Sequence, residues 1–125
     1  MLVSGRQDIM IKRHPGNERI KRRYLQFLRD AKGRDEASLD AAAKAIARFE
    51  EFSKCRDFRK FHIEQARAFK AHLMDTTTTR TGKPLSASTI YATLGALKSF
   101  FEWLAQQPGY RSRIKPADAA YFEST

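Results

Sequence analysis

Two segments of the sequence combine basic side chains with short side chains that can form hydrogen bonds. Lys and Arg attract phosphate groups, and a helix edged by Ser, Thr and Ala is slim enough to enter a DNA major groove about 12 Å wide. We therefore predict a surface that contacts duplex DNA. Its candidate residues are Ser38, Ala41, Lys44 and Arg48 in the first segment and Arg80, Lys83, Ser86, Ser88, Thr89, Tyr91, Ala92 and Lys98 in the second.

Each of these side chains, taken alone, also fits a simpler role. The hydroxyl-bearing residues between positions 86 and 89 stand where a helix should begin, and Ser and Thr commonly cap helices. Lys44, Arg48 and Lys98 fit ordinary solvated helix positions as well. The prediction of DNA binding therefore depends on the whole set and on the charge of the chain.

The sequence contains no recognisable catalytic or metal-binding pattern. His14, His62 and His72 are far apart, and none belongs to an HExxH or HxxE pattern. Cys55 has no second cysteine to pair with. The serines form no GxSxG pattern, and the glycines form no phosphate-binding loop. We therefore expect no metal site, no cofactor and no catalytic residue in this chain.

The chain of 125 residues carries a strong excess of positive charge. It has 24 Lys and Arg residues against 14 Asp and Glu residues, which gives a formal net charge of +10. Phosphate polymers and anionic membrane surfaces both attract such a charge. Because no apolar run approaches the roughly 18 residues of a membrane span, we expect a cytoplasmic protein without a membrane partner, associated with the nucleoid when it binds DNA.

Four helices are expected to position the candidate residues. Apolar side chains recur at helical spacing, and capping residues mark the ends of the periodic segments. The predicted helices span about 17–32 with Asn17 as cap, about 38–52 with Ser38 as cap, about 62–74, and from Ser86 or Ser88 to about 107. No segment alternates with a period of two. The prediction is an all-α fold, a small four-helix bundle.

Apolar stripes on the second and fourth helices leave the candidate residues on the remaining sides of these helices. In the second helix the predicted stripe is Leu39, Ala42, Ala43, Ile46, Phe49 and Phe52. In the fourth helix it is Ile90, Leu94, Leu97, Phe101 and Leu104. We expect the two remaining sides to form one DNA-facing surface, and we expect Phe58 and Phe61 to fill the gap between the second and third helices.

Composition divides the chain into three parts around this helical unit. Residues 1–16 lack a sustained period and are interpreted as a flexible N-terminal arm. Residues 17–110 form the predicted helical DNA-binding domain, which contains a mobile basic loop at 75–83. Residues 111–125, which include a basic extended piece, are interpreted as the start of a linker towards a further domain that is missing here.

The fourth helix resembles a specific family. Its pattern runs from Pro84 to Ile90 and then from Leu94 through two Phe residues to Trp103 and Leu104. It resembles the last long helix of the N-terminal core-binding domain of tyrosine recombinases, the phage integrase family. The earlier helices agree in order, including Phe49 and the Phe three residues later near the end of the second helix. The resemblance covers roughly residues 17–122.

The resemblance implies a SAM-like four-helix bundle that forms one half of a C-shaped clamp around duplex DNA. The second and fourth helices would then lie nearest the major groove. The positions matching the groove-facing helix starts are Ser38, Ala41, Lys44, Ser88, Thr89 and Ala92. Ala41 and Ala92 replace longer polar side chains of the family, which favours contact of the backbone over readout of bases at those points.

The chain departs from the family by lacking its catalytic residues. The family's catalytic domain supplies arginines, a lysine, an HxxR-type motif and a nucleophilic tyrosine, and no such set occurs in this sequence. The resemblance therefore implies the non-catalytic front part of an integrase, either truncated or separate. The implied partners are a double-stranded recombination site and other recombinase protomers on DNA, with a monomer expected for the isolated domain.

A helical protein-interaction module without DNA binding is the alternative. Bundles of this class also self-associate or bind partner helices. In this interpretation, exposed aromatic side chains at Tyr91, Phe100 and Trp103 would anchor the partner. The basic residues would then be idle, so replacing them with Glu would leave partner binding intact.

Overall fold

The structure is a computed structural model, and it describes residues 13–75 and 85–123. Within these two ranges every regular element is helical, which confirms the predicted all-α class. The elements are α1 (Pro15–Asp30), α2 (Glu36–Ser53), α3 (Ile63–Asp75) and α4 (Ala87–Leu104), with short 3₁₀ helices at Phe58–Lys60 and Pro116–Phe122. Residues 1–12 of the expected arm and residues 76–83 of the expected loop, with Arg80 and Lys83, lie outside the described residues.

The predicted caps of α1 and α2 are both wrong. α1 begins at Pro15, because proline suits the first helical position and the ring of His14 accepts a 3.1 Å hydrogen bond from the N–H of Asn17. α2 begins before Ser38, because the carboxylate of Asp35 accepts a 2.9 Å hydrogen bond from the N–H of Ser38. Hydrogen bonding from Ser38 also lowers the pKa of Asp35.

Asn17 joins two distant parts of the chain instead of capping a helix. Its side chain is fully buried, and its amide donates a 2.9 Å hydrogen bond to the carbonyl of Arg56. Its side-chain oxygen accepts a 3.0 Å hydrogen bond from the N–H of Phe58. The start of α1 is therefore tied to the segment between α2 and α3.

The hydrophobic core is built around α4. Of its predicted stripe, Leu94, Leu97, Phe101 and Leu104 are fully buried, and Ile90 is half-buried. Aromatic rings from other parts of the chain surround the ring of Phe101; they belong to Phe49, Phe58, Phe61, Phe100 and Phe122. Burial of such large apolar rings contributes strongly to the stability of a domain.

Two predicted positions differ from the observed packing. Ala43 was assigned to the apolar stripe of α2 by its spacing but is only half-buried, and Ala45 is buried instead. Phe100 is fully buried against Tyr24 and Phe58, so the expectation that it is an exposed anchor is wrong. The reason is that α1 covers a second side of α4, which widens the buried face towards its C-terminal end.

Residues after α4 also belong to the core. Ile114, Ala119 and Phe122 are buried, and the ring of Phe122 stacks on the rings of Phe61 and Phe101 with centroid distances of 5.4 and 5.6 Å. The packed core therefore extends to Phe122. The role of residues 111–125 as the start of a linker stays a prediction.

Candidate nucleic-acid interface

A groove runs between α2 and the N-terminal half of α4, and six of the predicted DNA-contacting residues line it. These six residues are Ala41, Lys44, Arg48, Ser88, Thr89 and Ala92. Ala45 and Thr93 complete the lining, and the groove has a volume of about 290 Å³. The two helix sides that the sequence placed on one surface are thus brought together.

The spacing of these residues explains why they share one groove. On α2 the lining positions are 41, 44, 45 and 48, which fall on one side of a helix with 3.6 residues per turn. On α4 the positions 88, 89, 92 and 93 do the same. Alanine side chains at Ala41, Ala45 and Ala92 keep the walls low, because each extends only one carbon beyond the backbone. These low walls leave the groove open to a ligand.

Two basic side chains on α2 give the groove its positive charge. The ammonium group of Lys44 lies 3.5 Å from the carboxylate of Asp40, but both side chains are at least 70% exposed, so this ion pair holds Lys44 only weakly. Arg48 is half-buried and forms no hydrogen bond or ion pair with any residue in the described ranges. A guanidinium group beside an alanine-lined groove is well placed to bind a phosphate oxygen.

The start of α4 combines a cap with accessible polar groups. Ser86 is the cap, because its hydroxyl oxygen accepts a 3.2 Å hydrogen bond from the N–H of Thr89. The same Ser86 hydroxyl donates a 2.9 Å hydrogen bond to the hydroxyl of Thr89. Ser88 is exposed next to the groove. The positive end of the helix dipole lies at these residues and favours an anionic ligand.

The other predicted residues do not line the groove. Ser38 is exposed in the first turn of α2, and Tyr91, with 68% of its surface exposed, lies on α4 outside the groove lining. Lys98 is paired with the carboxylates of Glu102 and Glu123 at 3.6 and 3.8 Å. Their assignment to the DNA-contacting set stays a prediction. The same holds for Arg80 and Lys83, which lie outside the described residues.

Ala45 and Thr93 line the groove but were not among the predicted residues. Both are buried, with 3% and 6% of their surface exposed, so they belong to the core as well as to the wall of the groove. A signal was nevertheless present in the spacing. Each follows a predicted residue by one helical turn, Ala41 on α2 and Thr89 on α4, so each had to share that residue's side of its helix.

His14, His62 and Cys55 are engaged in contacts or burial within the domain. His14 caps α1 and lies 3.6 Å from the carboxylate of Asp57. The ring of His62 forms a 3.1 Å hydrogen bond with the carbonyl of Lys60. Cys55 is buried, and this burial raises the pKa of its thiol. No group of three His, Cys, Asp or Glu residues suited to a metal ion occurs in the ranges that the structure describes.

None of the helices described is both long and apolar enough to cross a membrane.

These features define an all-α domain with a basic, alanine-lined groove between two of its helices. The family model for the phage integrase N-terminal SAM-like domain matches residues 22–108. The chain therefore belongs to that family, and the matched range includes α2, α3 and α4 entirely. Only this N-terminal domain is matched, with no catalytic domain of the family. A search of curated proteins finds no match. A search of solved structures also finds none.

Proposed function

We propose that this domain binds duplex DNA through the groove surface, defined as Ala41, Lys44, Arg48, Ser88, Thr89 and Ala92 with the adjoining Ser38, Ser86 and Tyr91. It does so as the non-catalytic clamp half of a site-specific tyrosine recombinase, in DNA recombination and integration. In this proposal the chemistry of strand exchange belongs to a separate catalytic domain, towards which residues 111–125 begin the linker. Other recombinase protomers on the same DNA are its protein partners, and the isolated domain is monomeric.

One observation carries this proposal. The side chain of Arg48 has no acidic partner among the described residues, and it lies in a groove whose other wall is the positive end of α4. A guanidinium group without an acidic partner keeps its N–H donors available, and these donors suit the oxygens of a phosphate group. The net charge of +10 extends the attraction over the whole domain.

The groove residues divide into two kinds of contact. Lys44 and Arg48 provide the charge for backbone phosphates, which fixes the register of the domain on the duplex. Ser88 and Thr89 provide short donors and acceptors for phosphate oxygens or base edges. The methyl groups of the alanines allow close approach and suit apolar contact with thymine. With so few long polar side chains, sequence preference should be weak in the isolated domain.

The test is a titration of the domain with a duplex of arbitrary sequence at several salt concentrations. Binding that weakens linearly in a plot of log K against log salt supports the proposal, because each neutralised phosphate contributes a slope of about −0.9. Absence of binding at about 50 mM salt would refute it. The proposed location of the protein is the cytoplasm, at the nucleoid.

A further inference from the structure

A second basic site lies at the other end of the bundle, between α1 and the turn that follows α4. It is a small pocket of about 140 Å³ lined by Gly16, Arg19, Ile20, Arg23, Arg59 and Tyr110. Its arginines come from α1 and from the 3₁₀ helix Phe58–Lys60, so folding brings them together from separate parts of the chain. None of the described residues that line it has a carboxylate.

Arg59 is held in a fixed orientation. Its Nη2 and Nε donate hydrogen bonds of 2.8 and 3.1 Å to Oδ2 of Asp57, and the backbone N–H of Arg59 donates a 2.9 Å hydrogen bond to Oδ1 of the same carboxylate. The ring of His14 lies 3.6 Å from this carboxylate as well. Asp57 is thus fully engaged and is not available to neutralise the other arginines of the pocket.

Arg19 and Arg23 have no such partner. They are one turn apart on α1, and neither forms a hydrogen bond or an ion pair with a residue that the structure describes. Like charges at this spacing repel each other and destabilise a helix. Arg59 adds a third guanidinium group to the same pocket, although Asp57 balances its charge. An anion bound between these guanidinium groups would remove the repulsion.

Tyr110 adds a neutral donor at the edge of the pocket. Its side chain is half-buried, and this burial raises the pKa of the phenol further above neutral pH, where a tyrosine hydroxyl is protonated in any case. Several N–H donors and one O–H donor around a small space match the tetrahedral oxygens of a phosphate group. A carboxylate offers fewer acceptor positions for the same set of donors.

We propose that Arg19, Arg23, Arg59 and Tyr110 form a phosphate-binding pocket that is separate from the groove surface. The phosphate belongs either to the backbone of the duplex bound at the groove or to a free phosphate ion. The first source rests on the proposed function, whereas the second does not. The groove starts at the first residues of α4 and Tyr110 follows its last turn, so the two sites are separated by the length of that helix, about 27 Å.

If the phosphate belongs to the bound duplex, this separation sets a minimum length for that duplex. Since each strand carries one phosphate per about 3.4 Å of the duplex axis, 27 Å along that axis corresponds to roughly eight base pairs. A duplex that occupies the groove surface must therefore continue for at least this length before its backbone can reach the pocket. A free phosphate ion has no such requirement.

The test compares three variants by two measurements. Arg19→Gln/Arg23→Gln removes two charges from the pocket, and Tyr110→Phe removes only the hydroxyl. Arg22→Gln/Arg29→Gln is the matched control, because it removes the same charge from the same helix outside the pocket. One measurement follows the amide and arginine Nε resonances during titration with inorganic phosphate. The other determines the salt dependence of binding to an arbitrary duplex of more than ten base pairs.

If the phosphate belongs to the duplex backbone, the magnitude of the slope of log K against log salt should fall by about one in Arg19→Gln/Arg23→Gln, the pocket variant, and by less in the control. A free ion predicts phosphate-dependent shifts at Tyr110 that the pocket variant loses and the control keeps, with equal salt slopes in both. If the wild type fails to bind DNA, the proposed function fails, and the phosphate titration still decides whether the pocket exists. Equal behaviour of pocket variant and control in both measurements would overturn the proposal.

Discussion

The ammonium group of Lys21 lies 2.5 Å from a carboxylate oxygen of Glu50, whose side chain is fully buried. The second oxygen of that carboxylate is also buried and has no hydrogen-bond partner among the residues that the structure describes. Lys21 reaches the carboxylate of Glu18 at 2.7 Å as well. Burial alone would lower the pKa of Lys21, but its hydrogen bonds to Glu18 and Glu50 outweigh burial and raise the pKa. α1 and α2 are therefore joined by an ion pair that depends on both partners.

Removing Lys21 alone should destabilise the domain strongly, because a charged Glu50 would be left buried without a partner. We expect Lys21→Met to lower the free energy of unfolding by about 3–5 kcal/mol, and Lys21→Met/Glu50→Leu to lose much less. Urea denaturation measures both variants. Equal losses in the single and double variants would contradict this account of the pair.

Asn17 should be as sensitive as a core residue although it is polar. Asn17→Ala removes the hydrogen bonds to the carbonyl of Arg56 and the N–H of Phe58 and leaves the buried N–H of Phe58 unsatisfied. We expect a loss of roughly 2–4 kcal/mol in the free energy of unfolding. Glu64→Ala on the exposed surface of α3 is the control and should change stability by less than about 0.5 kcal/mol. A loss for Asn17→Ala as small as that of the control would be the contrary result.

Stability should fall at alkaline pH because of Tyr24. Burial raises the pKa of Tyr24 to about 12. The unfolded tyrosine ionises near pH 10, while the folded one stays neutral, so the stabilisation is complete below pH 10 and is lost as pH rises through 12. The difference in unfolding free energy between wild type and Tyr24→Phe should decrease by roughly 2 kcal/mol over this interval. A difference that is constant with pH would exclude this cause.

The two serines at the start of α4 should separate folding from binding. Ser86→Ala removes the cap and should cost about 1 kcal/mol of stability. Ser88→Ala should leave stability within about 0.5 kcal/mol and weaken DNA binding roughly five-fold, the equivalent of one hydrogen bond. Thermal denaturation and DNA titration of both variants measure the two effects. If Ser88→Ala changes neither property, Ser88 is not a DNA contact.

Local patterns were sufficient for the helices and for most of the groove. Spacing predicted that Lys44 and Arg48 share one side of α2 and that Ser88 and Thr89 share one side of α4. Helical geometry then fixed which side chains are neighbours. The apolar stripe of α4 was equally predictable, because any helix with such a stripe must bury it. These features depend on residues a few positions apart.

Features that depend on distant residues were not predictable in the same way. Phe100 lies at the border of the buried face of α4, and the positions of the distant residues Tyr24 and Phe58 decide that it is covered. Lys98 looks like a free cation in the sequence, yet it pairs with Glu123 far along the chain. The predicted start of α2 was wrong for another reason. Asp35 and Ser38 are equally good caps, so local preference could not choose between them.

The central claim is that the groove surface binds duplex DNA, and one comparison tests it most directly. Lys44→Gln/Arg48→Gln and the control Lys60→Gln/Arg67→Gln remove the same charge, the first from the groove and the second from the 3₁₀ helix Phe58–Lys60 and α3. Their affinities for an arbitrary duplex are measured by fluorescence anisotropy at about 50 to 200 mM salt. We predict a loss of at least ten-fold and a salt slope reduced by about two for the groove variant, with a clearly smaller change for the control. Equal losses in the two variants would show that only net charge matters and would contradict the claim.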